Sequence, residues 1–182
     1  MPSYIALLRG INVAGHNPVA MSDLRDLFAE LGFAGAKSLL QSGNLVFHSD
    51  RPAGATLENR LEKETLKRLK DSADYIVRSA IEWERIIAGN PFPKEAKNSP
   101  NHLVAMFLKS APAAANVAAL QAAIQGPESL RCDGRHLYIV DPAGIGRSKL
   151  TGNLIEKKLG VRGTARNWNT ILKLAALCES LT

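Results

Sequence analysis

The order of the predicted secondary-structure elements constrains the fold of this chain more than any other feature. Hydrophobic periodicity and turn residues predict strand, helix, two strands, helix and strand in the first half, and the same order again in the second half. One such unit is typical of a ferredoxin-like α/β plait. We therefore predict an α+β fold of two tandem ferredoxin-like plaits (a duplicated βαββαβ), each with helices on one face of its sheet and an extra helix after it.

The first half opens with an almost unbroken apolar run, residues 4–12, whose end carries Arg9, Gly10 and Asn12. A strand that is apolar on both faces is typical of the centre of a sheet covered by helices. The elements predicted after it are a helix capped by Ser22 or Asp23, strands at 37–41 and 45–48, a helix over 57–69, a strand at 75–77 and a helix at 81–88.

The second half repeats this order after a proline-rich polar connection. Its predicted elements are a strand at 102–108, a helix at 112–124, a hairpin of 130–132 and 136–140 around Asp133-Gly134, a helix at 148–159, a strand at 161–165 and a terminal helix capped by Asn167. We place a first domain at residues 1–90, a linker at 91–101 and a second domain at 102–182.

The formal charge of +6 and the pI near 9.5 favour an acidic partner, such as nucleic acid or a phosphorylated small molecule, although they can equally serve solubility. The two cysteines form no CxxC pair and the four histidines are scattered, so we predict no metal site and no cofactor. The chain shows no signal peptide and no apolar run of transmembrane length. We expect a cytoplasmic protein that does not contact a membrane.

The glycine-rich loop before the predicted helix at 148–159 is the first candidate site. Gly146 allows backbone N–H groups to point inward, Ser148 can cap the helix, and Arg147 or Lys149 can neutralise a phosphate. The spacing is neither that of a Walker A loop nor that of a dinucleotide-binding fingerprint. The alternative is a tight strand-to-helix connection without a ligand.

A second candidate site lies where Arg166, Asn167, Trp168 and Asn169 follow one another. Asn167 can cap the terminal helix, and Arg166 can stack on the Trp168 indole, so packing explains the cluster as well as binding does.

Two further candidate segments lie in the first half. Gln41, Ser42 and Asn44 can bind a base or a sugar, or form a hairpin turn at Gly43. Arg9, Gly10 and Asn12 end the central strand, where Arg9 either binds an anion or pairs with a carboxylate such as Asp23 or Asp26. We expect the strand end and the turn to lie at opposite ends of the sheet, so that any site of Arg9 faces the second domain.

Five segments of the chain form a specific set of motifs: Leu8-Arg9-Gly10-Ile11-Asn12-Val13, Met21 before Leu24-Arg25, Gln41-Ser42-Gly43-Asn44, Gly144-Ile145-Gly146-Arg147-Ser148 and Gly163-Thr164-Ala165-Arg166-Asn167-Trp168-Asn169-Thr170. Together they resemble a bacterial family of unknown function, the one numbered 1697. Ala14-Gly15 stands where members often show two glycines. The resemblance implies a duplicated ferredoxin-like plait and a set of signature residues, but no reaction.

Three functions remain open. Charge, the glycine-rich loop and the plait architecture favour a module that binds nucleic acid or a nucleotide through loops of both plaits. The second hypothesis is an enzyme acting on a small phosphorylated or carboxylated metabolite in a cleft between the plaits. No histidine stands beside a serine or cysteine with an acid in the sequence, which counts against a hydrolase. The third hypothesis is a structural or partner-binding protein whose signature residues maintain the fold.

Overall fold

A computed structural model describes residues 1–12, 18–33 and 35–181 of the 182-residue chain. They divide into two compact units: unit 1 consists of Met1–Ala88 and Lys173–Thr182, and unit 2 of Gly89–Leu172. The C-terminal residues thus group with the first half of the chain, whereas the division made from the sequence placed them with the second half.

Unit 1 contains a four-stranded antiparallel sheet in the order β2-β3-β1-β4. Its elements are β1 (Ser3–Arg9), α1 (Met21–Glu30), β2 (Lys37–Ser38), β3 (Asn44–His48), α2 (Ala55–Leu69), β4 (Asp74–Ser79) and α3 (Ala80–Ala88). Strand β1 has a neighbour on each side, so the prediction that it is a central strand is confirmed.

Unit 2 repeats this arrangement with a sheet in the order β6-β7-β5-β8. Its elements are α4 (Pro93–Asn98), β5 (Leu103–Leu108), α5 (Ala114–Ala122), β6 (Ser129–Asp133), β7 (His136–Val140), α6 (Gly152–Leu159), β8 (Gly163–Asn167) and the first residues of α7 (Trp168–Glu179). The described residues therefore form a mixed α+β fold with two four-stranded antiparallel sheets and seven α-helices. The predicted linker holds α4 and a 3-10 turn at Pro100–His102.

The core of unit 1 lies between its sheet and helices α1 and α2. Alternate residues of the strands pack there with Leu24 and Phe28 of α1 and with Leu57 and Leu61 of α2. The intervening residues of β1 are buried as well, because all of Tyr4–Leu8 is at most 6% exposed. Burial on both faces explains why β1 lacks the alternation of polar and apolar residues that a half-exposed strand shows.

The core of unit 2 is built in the same way. Alternate residues of β5 and β7 pack with Leu120 of α5 and with Ile155 and Leu159 of α6. The hairpin predicted around Asp133-Gly134 is confirmed, and Gly134, with a φ of +54°, is the first residue of the two-residue turn between the paired Asp133 and His136.

In each unit, glutamate side chains of a helix accept hydrogen bonds from backbone N–H groups of an edge strand. In unit 1, Glu58 and Glu62 of α2 accept hydrogen bonds from the backbone N–H groups of Val77 (2.8 Å) and Tyr75 (2.9 Å) in β4. In unit 2, Glu156 of α6 accepts one from the N–H of Gly163 in β8 (3.0 Å). Because edge N–H groups otherwise offer a template for another strand, each carboxylate also limits unwanted pairing.

Several predicted boundaries are wrong, and competition between two possible caps explains the one at α6. Helix α6 begins at Gly152, not at Ser148, because the Thr151 hydroxyl accepts the hydrogen bond from the Leu154 N–H (3.3 Å). Helix α1 begins at Met21, with Ala20 rather than Ser22 or Asp23 at the cap position. Strand β8 lies two residues further along the chain than the predicted 161–165.

Candidate functional site

Arg9 ends β1 and pairs with a carboxylate of its own sheet. Its guanidinium lies 3.1 Å from the Asp74 carboxylate, and the two residues face each other in the β1–β4 register. The predicted partners, Asp23 and Asp26, were therefore wrong. A helix start was the obvious source of a carboxylate in the sequence, whereas pairing with β4 brings Asp74 across from Arg9.

Asn12 ties the end of β1 to two other segments. Its side-chain amide donates to the carbonyls of Gln41 (2.8 Å) and Val19 (3.1 Å), and its oxygen accepts from the N–H of Val19 (2.7 Å). Asn12 holds a left-handed φ of +53°, which asparagine tolerates better than most residues. The Asn12 carboxamide therefore holds the backbone of Val19 and of Gln41 at the end of β1.

The turn before β3 lies against the same end of the sheet. Asn44 is fully buried and donates to the Leu39 carbonyl (2.8 Å) and the Ser42 hydroxyl (2.9 Å). Asn44 also faces Leu7 in the β1–β3 register. The expectation that the turn and the end of β1 lie at opposite ends of the sheet is wrong, because antiparallel pairing sets the end of one strand beside the start of the other.

Unit 1 therefore brings six predicted site residues together at one sheet end. They are Arg9, Gly10, Asn12, Gln41, Ser42 and Asn44. Gly10, Gln41 and Ser42 are exposed there, while Asn44 is buried. The hydrogen bonds of Asn12 and Asn44 join these segments to one another. They hold the turn at Gly43 against the end of β1.

The glycine-rich loop of unit 2 differs from the predicted helix N-terminus. Residues Ile145–Arg147, which include Gly146, form a 3-10 turn after Gly144, whose φ is +94°. Ser148 is not the helix cap, since its hydroxyl accepts from the Leu150 N–H (3.1 Å) and donates to Glu128 (2.6 Å). Arg147 and Lys149 are exposed.

Glu128 occupies the position that the sequence suggested for an external anion. The Ser148 hydroxyl donates to its carboxylate (2.6 Å), and this hydrogen bond, with the backbone N–H groups nearby, lowers the pKa of the carboxyl from the ordinary value of 4.5. A Cβ at Gly126 would lie 2.3 Å from a carboxylate oxygen, so the fold-back of Glu128 depends on glycine at that position.

A cavity of about 290 Å³ opens beside this carboxylate. Its polar lining is Gln125, Glu128, Lys149 and Lys158. Its apolar lining is Ala123, Ile124, Leu150 and Leu154. No ion pair joins Lys149 or Lys158 to another of the described residues.

The second candidate segment, Arg166 to Asn169, lies at the end of β8. Arg166 is only 9% exposed, and its guanidinium donates to the Thr164 hydroxyl (2.7 Å) and the Ala165 carbonyl (2.8 Å). Burial lowers the pKa of Arg166 to about 10, which leaves it charged at neutral pH.

The residues that follow Arg166 begin α7. The prediction that Asn167 caps this helix is confirmed, because its side-chain oxygen accepts from the Thr170 N–H (2.9 Å). Trp168 is buried, and Asn169 donates to the Asn101 side chain (2.7 Å). Each of the four predicted residues from Arg166 to Asn169 thus makes a structural contact within unit 2.

Several polar residues escaped prediction from the sequence. Arg78 in β4 is 2% exposed and donates to the carbonyl of the preceding Val77 (3.0 Å), as Arg166 does in β8. Asp141 is also buried, and one of its carboxylate oxygens has no hydrogen-bond partner. A comparison of the two halves, strand by strand, would have found the matched arginines.

A histidine beside a serine also escaped prediction. His48 Nδ1 lies 3.2 Å from the Ser3 hydroxyl, and its Nε2 lies 3.0 Å from the Leu181 carbonyl. Ser3 and Cys178 line a cavity of about 180 Å³ in unit 1, and burial raises the pKa of the Cys178 thiol. These contacts hold the C-terminal residues on the sheet, and the thiol stays protonated.

The described residues also lack a metal cluster and a membrane-spanning helix. Across residues 1–12, 18–33 and 35–181, no group of three or more His, Cys, Asp or Glu side chains is placed to hold a metal ion. No helix in the described part of the chain has the length and apolar character needed to cross a membrane.

Comparison with known proteins gives a family and a fold. A family model described as "Protein of unknown function (DUF1697)" matches residues 1–138. The conserved bacterial protein SP0830 from Streptococcus pneumoniae is similar in structure, with a TM-score of 0.75 at 22% identity over 97% of this chain and 98% of that chain. No curated protein matches significantly. The family match covers the first three signature segments, and the chain belongs to the family of proteins of unknown function DUF1697.

Proposed function

We propose that this protein binds an anionic ligand, nucleic acid or a phosphorylated small molecule, and that unit 2 carries the binding surface. The observation that carries the proposal is the distribution of charge. Unit 2 contains eleven Lys and Arg residues against five Asp and Glu, whereas unit 1 contains twelve of each, so unit 2 bears the whole formal charge of +6. A concentration of one sign of charge attracts ligands of the opposite sign.

Four exposed cations lie on α6 or in the loop that precedes it. Arg147 and Lys149 precede α6, and Lys157 and Lys158 lie in its last turn. None of these four side chains is buried, so a phosphate can reach each of them from solvent. The predicted site residues Arg147 and Lys149 thus retain a role in binding, through charge and not through a helix cap.

The proposal also includes a fold. The order βαββαβ in each unit, with the last strand beside the first and the first beside the third, supports two ferredoxin-like plaits. The proposed domains are residues 1–90 and 102–182, joined by a linker at 91–101, in a cytoplasmic protein.

RNA-recognition domains use the same plait but stack bases on aromatic residues of the sheet. Phe107 and Tyr138 are at most 1% exposed, so binding here would rely on phosphate contacts.

Fluorescence anisotropy with a labelled single-stranded 12-mer tests this proposal. If four phosphates are contacted, the affinity falls about 50-fold between 50 and 200 mM NaCl, from a slope of about −0.7 per phosphate. Lys157→Glu with Lys158→Glu should abolish most of the binding. The matched control is Lys63→Glu with Lys67→Glu, a pair of exposed lysines on α2 of unit 1. Affinity that does not depend on salt, or equal loss with both pairs, would refute the proposal.

A further inference from the structure

The Glu128 carboxylate occupies a position that suits an anion, beside the Ser148 hydroxyl and the backbone of Gly126, and we call this position the anion seat. The Ser148 hydroxyl donates to one carboxylate oxygen (2.6 Å), and the carboxylate lies so close to Gly126 that a Cβ there would be 2.3 Å from its other oxygen. A hydroxyl donor beside an open glycine backbone forms the kind of concavity that binds phosphate in other proteins. An anion therefore already occupies the most favourable position of the loop, and it belongs to the protein itself.

The position beside this seat has the charge and the space for a larger anion. Lys149 and Lys158 line the same cavity as Glu128, together with Gln125, which can donate to an oxygen. The cavity of about 290 Å³ is large enough for a phosphate group and a few further atoms. Its remaining wall is apolar, which suits the carbon skeleton of a small phosphate ester.

Glu128 opposes such a ligand by its charge. A phosphate monoester is close to doubly negative at neutral pH, and a carboxylate within about 4 Å repels it appreciably even in water. The flexible side chain of Glu128 can leave its seat, whereas the Ser148 hydroxyl and the backbone of Gly126 remain there. The ligand and the carboxylate therefore compete for the same hydrogen bonds.

We propose that the cavity beside α6 binds a small phosphate monoester and that the Glu128 carboxylate is an internal competitor, which occupies the phosphate seat until the ligand displaces it. Lys149 and Lys158 neutralise the phosphate, and Ser148 transfers its hydrogen bond from Glu128 to a phosphate oxygen. This inference rests on the proposed anion-binding function and names the site and the ligand class.

Isothermal titration calorimetry with glycerol phosphate tests the inference. Glu128→Gln and Glu128→Ala remove the competing charge and should tighten binding by about ten-fold or more. Lys149→Met with Lys158→Met, introduced into the Glu128→Ala protein, should abolish this gain. The matched control is Glu95→Gln, which changes the net charge of unit 2 equally but lies outside the cavity lining.

The outcomes separate this inference from the proposed function. If Glu128→Gln and Glu128→Ala bind glycerol phosphate no more tightly than Glu95→Gln, the internal competitor is refuted, even where the 12-mer binds in a salt-dependent way. If the Glu128 variants gain affinity while the 12-mer shows no salt dependence, the small-ligand site stands and the nucleic-acid proposal fails. Inorganic phosphate, titrated in parallel, shows whether the ester's carbon skeleton contributes.

Discussion

The contrast between Gly43 and Gly10 leads to a sharp test of why glycine stands at each of these two positions. Both residues have a left-handed backbone, with φ of +77° at Gly43 and +82° at Gly10. They differ in space: a Cβ at Gly43 would lie 2.8 Å from the Ile11 Cγ2 atom and 2.8 Å from the Leu8 Cβ atom, whereas a Cβ at Gly10 meets nothing within 4 Å. Alanine at both positions separates backbone strain from crowding.

The expected magnitudes follow from these two terms. A left-handed alanine costs about 1–2 kcal/mol at either position. At Gly43 the overlap with two side chains of the core adds about 1–3 kcal/mol, because Leu8 and Ile11 cannot both move without disturbing the strand. Gly43→Ala is therefore expected to destabilise the protein by about 2–5 kcal/mol, and Gly10→Ala by about 1–2 kcal/mol.

Thermal unfolding followed by circular dichroism at 222 nm measures the difference. At about 2–4 °C per kcal/mol for a chain of this size, Gly43→Ala should lower the Tm at least about 1.5 times as far as Gly10→Ala. Urea unfolding with unchanged m-values would show that both variants keep the native fold. Equal losses of Tm for the two variants would refute the packing argument and leave backbone conformation as the whole reason for glycine at position 43.

Two further predictions concern buried polar groups. Glu58→Ala leaves the buried N–H of Val77 without its acceptor and should cost about 1–3 kcal/mol in urea unfolding. Glu64→Ala removes a partly exposed carboxylate that pairs with Arg68 on the same helix and should cost under about 1 kcal/mol, and equal costs would contradict the edge-strand role. Burial raises the pKa of Tyr138 to about 12, so the stability it contributes is complete below pH 10 and is lost between pH 10 and 12. Tyr138→Phe should reduce that alkaline loss, measured as the free energy of unfolding at pH 9 and 11.5, and an unchanged pH profile would count against it.

Local patterns in the sequence were sufficient for the order of the elements. The apolar run of β1 predicted a strand buried on both faces, and Asp133-Gly134 predicted the hairpin between β6 and β7. Both features depend on residues that are close together in the chain, where periodicity and turn preferences act directly. Boundaries set by competing caps, such as Ser148 against Thr151, could not be predicted because either hydroxyl suits the position.

Contacts between residues that are far apart in the sequence determine the roles of the candidate site residues. Glu128 reaches Ser148 across 20 positions, and Lys37 donates to the carbonyl of Ser180 across 143 positions (2.9 Å). No local signal marks a glutamate before β6 as the partner of a glycine-rich loop. The placement of the turn at Gly43 beside the end of β1 could have been derived, since it follows from antiparallel pairing of the first and third strands of each unit.

The discontinuity of unit 1 has a consequence for biosynthesis. The chain leaves this unit at Ala88 and returns to it only at Lys173, after all of unit 2. A ribosome that adds about 5–20 residues each second therefore releases a complete unit 2 while unit 1 still lacks its closing segment. The hydrogen bonds of Leu181 with His48 and of Ser180 with Lys37 can form only after unit 2 has been synthesised. The first sheet, although it is made first, therefore receives its last contacts at the end of translation.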